Sequence, residues 1–162
     1  QAYRMARQTH GVRWPLILVG GTGWNNEQEL EAVADLTDRG WGRYLGLVPD
    51  EQLAELYSAA GALTFPSFYE GFGLPALEAR ESGTVVITSE NSPMAAFTSK
   101  SDVLINPYDI DALAGALTSI VAGLHSETLL QEYPGSATSK KPSWQLTVRK
   151  TQVVYRKVMA NC

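Results

Sequence analysis

Short apolar runs alternate along the chain with longer segments in which apolar residues recur at helical spacing. The apolar runs predict strands at Leu16–Val19, Tyr44–Leu47, Ala62–Phe65, Val85–Thr88 and Val103–Ile105. The helical spacing predicts helices at Ala2–Thr9, Glu27–Thr37, Glu51–Ala60, Leu74–Ser82, Ile110–Val121 and Trp144–Met159. Alternation of this kind is typical of an α/β fold with a parallel sheet.

Local signals mark the ends of these helices. Asp50 and Ser143 precede helical segments and are predicted to be N-caps. Left-handed residues often end helices, and three glycines stand at such places: Gly40, Gly61 and Gly83. Residues 124–142 contain Pro, Gly and Ser without a clear period, so we expect a surface connection there.

A strand end, a glycine-containing turn and a helix start follow one another in the segment FPSFYEGFGLPALEA. Its turn carries Glu70, and Glu78 lies about one turn into the helix that begins at Leu74. Gly71 and Gly73 let the backbone approach a ligand closely. Free N–H groups at the helix start can bind an anion, and the two carboxylates can accept hydrogen bonds from sugar hydroxyls. The segment therefore predicts a site for a ligand with both phosphate and hydroxyl groups.

Composition narrows the class of protein. The chain has 162 residues, 44% of them hydrophobic, which suits one globular domain with a real core. A net charge of −4 argues against nucleic acid as a partner. The lone Cys162 excludes an internal disulfide, and the isolated His10 and His125 give no basis for a metal site. No run of residues is apolar and long enough to span a bilayer, so the composition predicts a cytoplasmic protein.

Charge is distributed unevenly along the chain. After Glu132 there is no acidic residue, and six cations follow: Lys140, Lys141, Arg149, Lys150, Arg156 and Lys157. A solvated helix face explains this pattern most simply. The alternative is peripheral contact with the inner face of a membrane or with an acidic partner domain.

The segment around Glu70 and Glu78 resembles the C-terminal, donor-binding domain of retaining GT-B glycosyltransferases. This group includes glycogen synthases, sucrose-phosphate synthases and bacterial mannosyltransferases. Its Glu-x7-Glu element is matched by these two residues. The similarity extends to the segments PLILVGGTGW, YLGLVPDEQL and VLINPYD, covers roughly residues 1–122 and continues more weakly in the final helix.

The resemblance implies a role for each matched residue. Glu70 would be the catalytic-site carboxylate that binds a hydroxyl of the donor sugar, and Glu78 would bind the ribose hydroxyls of the nucleotide. The remaining donor-binding residues would supply backbone N–H groups or flank the base: Phe72, Gly73, Leu74, Gly21, Val48 and Leu53. Simple core packing of Val48 and Leu53, and a tight turn at Gly21, are the alternatives.

The implied reaction moves a hexosyl group from a nucleotide sugar to a sugar or lipid-linked acceptor, with retention of configuration. No metal or other cofactor is implied. The donor would be GDP-mannose, a UDP-hexose or an ADP-hexose, with mannose favoured. The alternatives are a non-catalytic nucleotide-sugar binding or regulatory module, and an unrelated doubly wound domain.

The resemblance also predicts the domain organisation. We expect a doubly wound, parallel Rossmann-like sheet that is one half of a GT-B fold and lacks its first, central strand. Residues 1–162 would form one N-terminally truncated donor-binding domain, with a C-terminal helix at 143–162 and no N-terminal acceptor domain. The family's cationic loop would also be missing, so we expect this chain alone to be inactive in transfer.

Overall fold

The computed structural model describes residues 1–125. Within this range, strands and helices alternate: α1 (Ala2–Thr9), β1 (Leu16–Leu18), α2 (Glu27–Asp38), β2 (Gly42–Tyr44), α3 (Asp50–Ala59), β3 (Ala62–Phe65), α4 (Leu74–Glu81), β4 (Val85–Ser89), a 3₁₀ turn (Pro93–Phe97), β5 (Val103–Ile105) and α5 (Ile110–His125). The predicted α/β class is confirmed. The helix predicted at Trp144–Met159 and its Ser143 cap lie outside the described residues.

The strands form two parallel sheets, β1–β2 and β3–β4–β5. The two strands expected to flank the missing central strand, β1 and β3, share no ladder. Among residues 1–125, no strand lies between them. The Trp14 ring packs against Gly61, in the space that a side chain on that residue would occupy, so the starts of β1 and β3 are neighbours.

Helices cover both faces of the three-stranded sheet, as in a doubly wound fold. All five residues of β4 are buried, and successive side chains alternate between the faces. Val86 joins a cluster with residues of α3 and α4, whereas Val85 and Ile87 join a cluster with α5. This buried strand sets the position of the segments that follow β3 and β4. No helix of the described range is long and apolar enough to cross a membrane.

Two local predictions are wrong. The strand expected at Tyr44–Leu47 is β2, three residues long and ending at Tyr44, and Gly46 beyond it takes a left-handed φ of 67° that interrupts the extended conformation. Asp50 is not an N-cap but the first residue of α3, after an extended Pro49. At that position its carboxylate still interacts favourably with the helix dipole.

Two of the three glycine predictions are confirmed, and one is wrong. Gly40 and Gly83 adopt left-handed backbone angles after α2 and α4, as predicted. Gly61 does not, and its role is steric, since it accommodates Trp14. Helix α5 continues through His125, so the connection expected from residue 124 does not begin there.

Candidate functional site

Helix α4 begins with a constrained glycine. Gly73 is its N-cap and has φ 80° and ψ 49°, a left-handed conformation that costs a residue with a Cβ about 1 kcal/mol or more. A Cβ at this position would also overlap the side chain of Met94, which is only 2% exposed. Sterics and backbone conformation together require glycine at the start of this helix.

Within residues 1–125, unpaired N–H groups lie at the start of α4 and in the two residues before it. The N–H groups of Ala76 and Leu77 both point to the Gly73 carbonyl, at 3.1 and 3.4 Å. Among the described residues, no hydrogen bond engages the N–H groups of three consecutive positions: Phe72, Gly73 and Leu74. Such donors carry the partial positive charge of the helix N-terminus and suit a phosphate or carboxylate.

Glu70 is held just before this helix start by short-range hydrogen bonds. Its Oε1 accepts the N–H of Gly71 at 3.1 Å, and its Oε2 lies 3.5 Å from the Ser67 hydroxyl. The Ser67 carbonyl in turn accepts the hydroxyl of buried Ser89, at the end of β4, at 2.6 Å. The carboxylate is therefore tied to the buried strand and stays beside the free N–H groups.

Glu78 lies one turn into α4 with an exposed side chain. Its Oε2 accepts the hydroxyl of Tyr57, on α3, at 3.3 Å. Tyr57 is 8% exposed, and burial together with the adjacent Glu78 carboxylate raises its pKa to about 12. The hydroxyl is thus a donor throughout the physiological range. Sequence analysis missed Tyr57, although its four-residue spacing from Leu53 places both on one face of α3.

The residues predicted to flank a base fall into two places. Leu53 packs against the cluster that contains Tyr57, on the same side of the fold as Glu78. Val48 is half-buried in the loop before α3, and Gly21 is exposed after β1, where its Cβ position is 4.0 Å from the Leu47 side chain.

Backbone contacts keep these two loops together. The N–H of Gly20 donates to the Gly46 carbonyl at 2.9 Å, and the Tyr44 hydroxyl donates to the Gly20 carbonyl at 2.7 Å. Among the described residues, no hydrogen bond joins these loops to Glu70 or Glu78. The structure thus places Glu70, the free N–H groups and Glu78 on one continuous segment, and Gly21 beside the loop that holds Val48.

Aromatic side chains also surround the start of α4. The Phe72 ring contacts the Phe97 ring, with centroids 5.7 Å apart. This contact ties the loop before α4 to the 3₁₀ turn. Phe68 and Tyr108 form an exposed pair at 4.6 Å. Sequence analysis identified only Phe72 of this group. The density of aromatic residues around Glu70 could have indicated Phe68, whereas Phe97 and Tyr108 are distant in sequence and gave no signal.

A doubly wound parallel fold with free helix N–H groups at the carboxyl end of a strand is typical of α/β proteins that bind ligands at that edge of the sheet. Residues 1–133 match the family model of "Glycosyl transferases group 1". The chain belongs to this family.

Comparison with curated proteins gives similar sequences. The O-antigen chain mannosyltransferase B of Escherichia coli is 36% identical over 158 residues, which is 96% of this chain and 41% of that protein. The D-inositol 3-phosphate glycosyltransferase of Corynebacterium jeikeium (strain K411) is 32% identical over 141 residues, 85% of this chain and 33% of that protein. The chain thus spans less than half the length of these relatives.

Solved structures show the same fold. Sucrose-phosphate synthase from Thermosynechococcus elongatus superimposes with a TM-score of 0.72 at 26% identity, over 99% of this chain and 43% of that one. The pneumococcal O-GlcNAc transferase GtfA, in complex with UDP and GlcNAc, gives 0.60 at 22% identity, over 80% of this chain and 26% of that one.

Proposed function

We propose that this chain is the donor-binding part of a retaining glycosyltransferase and holds a nucleotide sugar at the start of α4. The observation that carries the proposal is the free run of N–H groups at Phe72, Gly73 and Leu74, with Glu70 before it and Glu78 after it. Membership of the glycosyl transferases group 1 family supports the same assignment.

Each part of the donor is assigned to a group of matching chemistry. The diphosphate lies on the free N–H groups, where the helix dipole favours negative charge. Glu78 accepts hydrogen bonds from the ribose hydroxyls, and Glu70 accepts one from the donor sugar. The base lies toward Leu53 and the loops that hold Val48 and Gly21.

The proposed reaction is a glycosyl transfer with retention of configuration. The bond between the anomeric carbon and the diphosphate oxygen breaks, the acceptor hydroxyl oxygen forms the new bond on the same face of the sugar, and the hydroxyl proton passes to the departing diphosphate. Backbone N–H groups that already lie where negative charge develops would stabilise the departing diphosphate. The proposal assigns no metal or other cofactor.

GDP-mannose is the preferred donor in this proposal, ahead of UDP- and ADP-hexoses. The support is that a mannosyltransferase is 36% identical to this chain. The acceptor is a sugar or a lipid-linked glycan, which would bring the protein to the inner face of the membrane.

Residues 1–162 form a single donor-binding domain in this proposal, and an acceptor-binding domain is its partner. We expect the isolated chain to bind donors without transferring sugar. Its phosphate-binding segment, residues 67–79, contains no Lys or Arg to supplement the N–H groups. The chain also spans only 41% of the mannosyltransferase that it resembles.

Calorimetric titration of the 162-residue chain with GDP-mannose, UDP-glucose and ADP-glucose tests the donor site. Glu78→Ala should weaken all three about ten- to a hundredfold, because a lost hydrogen bond to a charged group costs about 1.5–3 kcal/mol. GDP-mannose should bind most tightly. No sugar should be transferred to an added acceptor.

Glu31→Ala is the matched control, since Glu31 is an exposed glutamate of α2 and makes no hydrogen bond or ion pair among the described residues. It should leave all three affinities unchanged. Binding that is indifferent to Glu78, or no binding at all, contradicts the proposed site. Measurable transfer by the isolated chain contradicts the division of labour between domains.

A further inference from the structure

The Glu78 carboxylate is exposed and yet has one fixed contact. On a helix surface, a glutamate side chain is free to adopt several rotamers. Here its Oε2 lies 3.3 Å from the Tyr57 hydroxyl, and among the described residues no other hydrogen bond or ion pair engages that carboxylate. One oxygen is therefore occupied by the protein and the other faces solvent.

Tyr57 is itself held firmly. It is 8% exposed and packs in a cluster with four other buried residues: Ala76, Ala79, Val86 and Met94. Its backbone carbonyl accepts the hydroxyl of buried Thr84, at the start of β4. The ring thus has little freedom, and its hydroxyl is a fixed point beside α4.

We propose that Tyr57 is the positioning residue for Glu78: it binds Oε2 and so presents Oε1 to the ribose hydroxyls of the donor. This inference rests on the proposed function, in which Glu78 binds the ribose. Tyr57 does not touch the ligand in this account. It acts by restricting the rotamers of a side chain that would otherwise have to be ordered when the ligand binds.

The pKa of Tyr57 supports the direction of this hydrogen bond. Burial, with the Glu78 carboxylate as the second cause, raises that pKa to about 12. The phenol therefore stays protonated and donates to the carboxylate at every pH where the protein would work. The 3.3 Å separation is longer than the usual O–H···O distance of about 2.7–2.8 Å, so we expect a modest contribution.

Calorimetric titration with GDP and with 2′,3′-dideoxy-GDP tests the inference on the 162-residue chain. Tyr57→Phe keeps the ring in the core and removes only the hydroxyl. We expect it to weaken GDP binding about three- to tenfold, less than the usual loss of a hydrogen bond to a charged group, because the 3.3 Å contact is long. Binding of the dideoxy nucleotide should not change. In the Glu78→Ala background, Tyr57→Phe should have no further effect on GDP.

Tyr3→Phe is the control for general destabilisation, since within residues 1–125 the Tyr3 hydroxyl forms hydrogen bonds only with the Trp14 and Trp41 carbonyls and the Arg7 side chain, away from α4. It should leave both affinities unchanged. Equal losses for both nucleotides in Tyr57→Phe, or loss of its folded state in a thermal melt, assign Tyr57 a purely structural role and overturn the inference.

The same data separate the two proposals. If wild-type chain does not prefer GDP to the dideoxy nucleotide, or if Glu78→Ala binds like wild type, the ribose role of Glu78 fails and the inference fails with it. If both of those results hold and Tyr57→Phe binds GDP like wild type, only the positioning role of Tyr57 fails.

Discussion

The two sheets of this protein differ sharply in how they are packed. In the three-stranded sheet, the central strand β4 is buried along its whole length, and Ile87 is 0% exposed. In the two-stranded sheet, Ile17 of β1 and Tyr44 of β2 remain 39% and 38% exposed. The first sheet has helices on both faces, whereas the second packs against α2 and is also braced by polar and cation–π contacts from α1.

These polar and cation–π contacts are made by side chains of α1. The Tyr3 hydroxyl bonds the carbonyls of Trp14 and Trp41, and Arg7 lies over the Trp41 ring at 4.9 Å. Arg4 pairs with Asp35 on α2 at 2.7 Å. Exposed ion pairs of this kind contribute little to stability. We therefore expect the stability of the two-stranded sheet to depend on the elements that pack beside it.

The proposed site draws on both regions unequally. Glu70, the free N–H groups and Glu78 belong to segments anchored on the three-stranded sheet. Gly21 and Val48, in contrast, follow the strands of the two-stranded sheet. We therefore expect the phosphate and sugar contacts to be pre-organised and the base contacts to be weaker.

The largest expected effect is the difference in stability between two isoleucine substitutions, one in each sheet. Ile87→Ala removes fully buried atoms from β4 and should lower the free energy of unfolding by about 2–5 kcal/mol. Ile17→Ala, on the exposed strand, should cost less than about 1 kcal/mol. Urea denaturation of both variants measures the difference. Equal losses would contradict the contrast between the sheets.

Glycine substitutions at the start of α4 should come next. Gly73→Ala introduces left-handed strain and an overlap with Met94, which together should cost roughly 2–4 kcal/mol. Gly71→Ala is the matched control, because nothing lies within 4 Å of its Cβ position and its φ is not positive. It should change stability by less than about 1 kcal/mol. If the thermal melts of the two variants coincide, the steric explanation for Gly73 is wrong.

The smallest effect concerns alkaline pH. The pKa of Tyr57 is raised to about 12 in the folded chain from its ordinary value of 10.0, by burial first and by Glu78 second. The neutral phenol therefore stabilises the fold below pH 10, and this contribution is lost as pH rises from 10 toward 12. Tyr57→Phe should flatten that decline in urea midpoints, and Tyr3→Phe should not. An unchanged slope in Tyr57→Phe would contradict the shift.

Much of this fold could be predicted from local signals. Helix α1 and strands β3 and β5 begin and end where the sequence pattern places them, and the left-handed Gly40 and Gly83 end their helices. The start of α4 was also predictable, since Pro75 in the first turn and Gly73 before it are strong helix-start signals.

The features that were not predicted depend on distant contacts. Strand β2 begins at Gly42, where a Cβ would overlap the Leu16 carbonyl, so its position is set by β1 and not by its own apolar run. The Tyr57–Glu78 bond joins residues 21 positions apart on two helices. Hydrophobic spacing shows which face of α3 is buried, but not which carboxylate a hydroxyl on that face will meet.

Backbone amide shifts during a GDP titration of the ¹⁵N-labelled 162-residue chain test the central claim most directly. The account predicts the largest perturbations at the three free N–H groups, those of Phe72, Gly73 and Leu74, because they receive the phosphate. The amides of β5 and α5 should stay within the noise. Perturbations confined to other segments, with these three amides unmoved at saturation, would contradict a donor site at the start of α4.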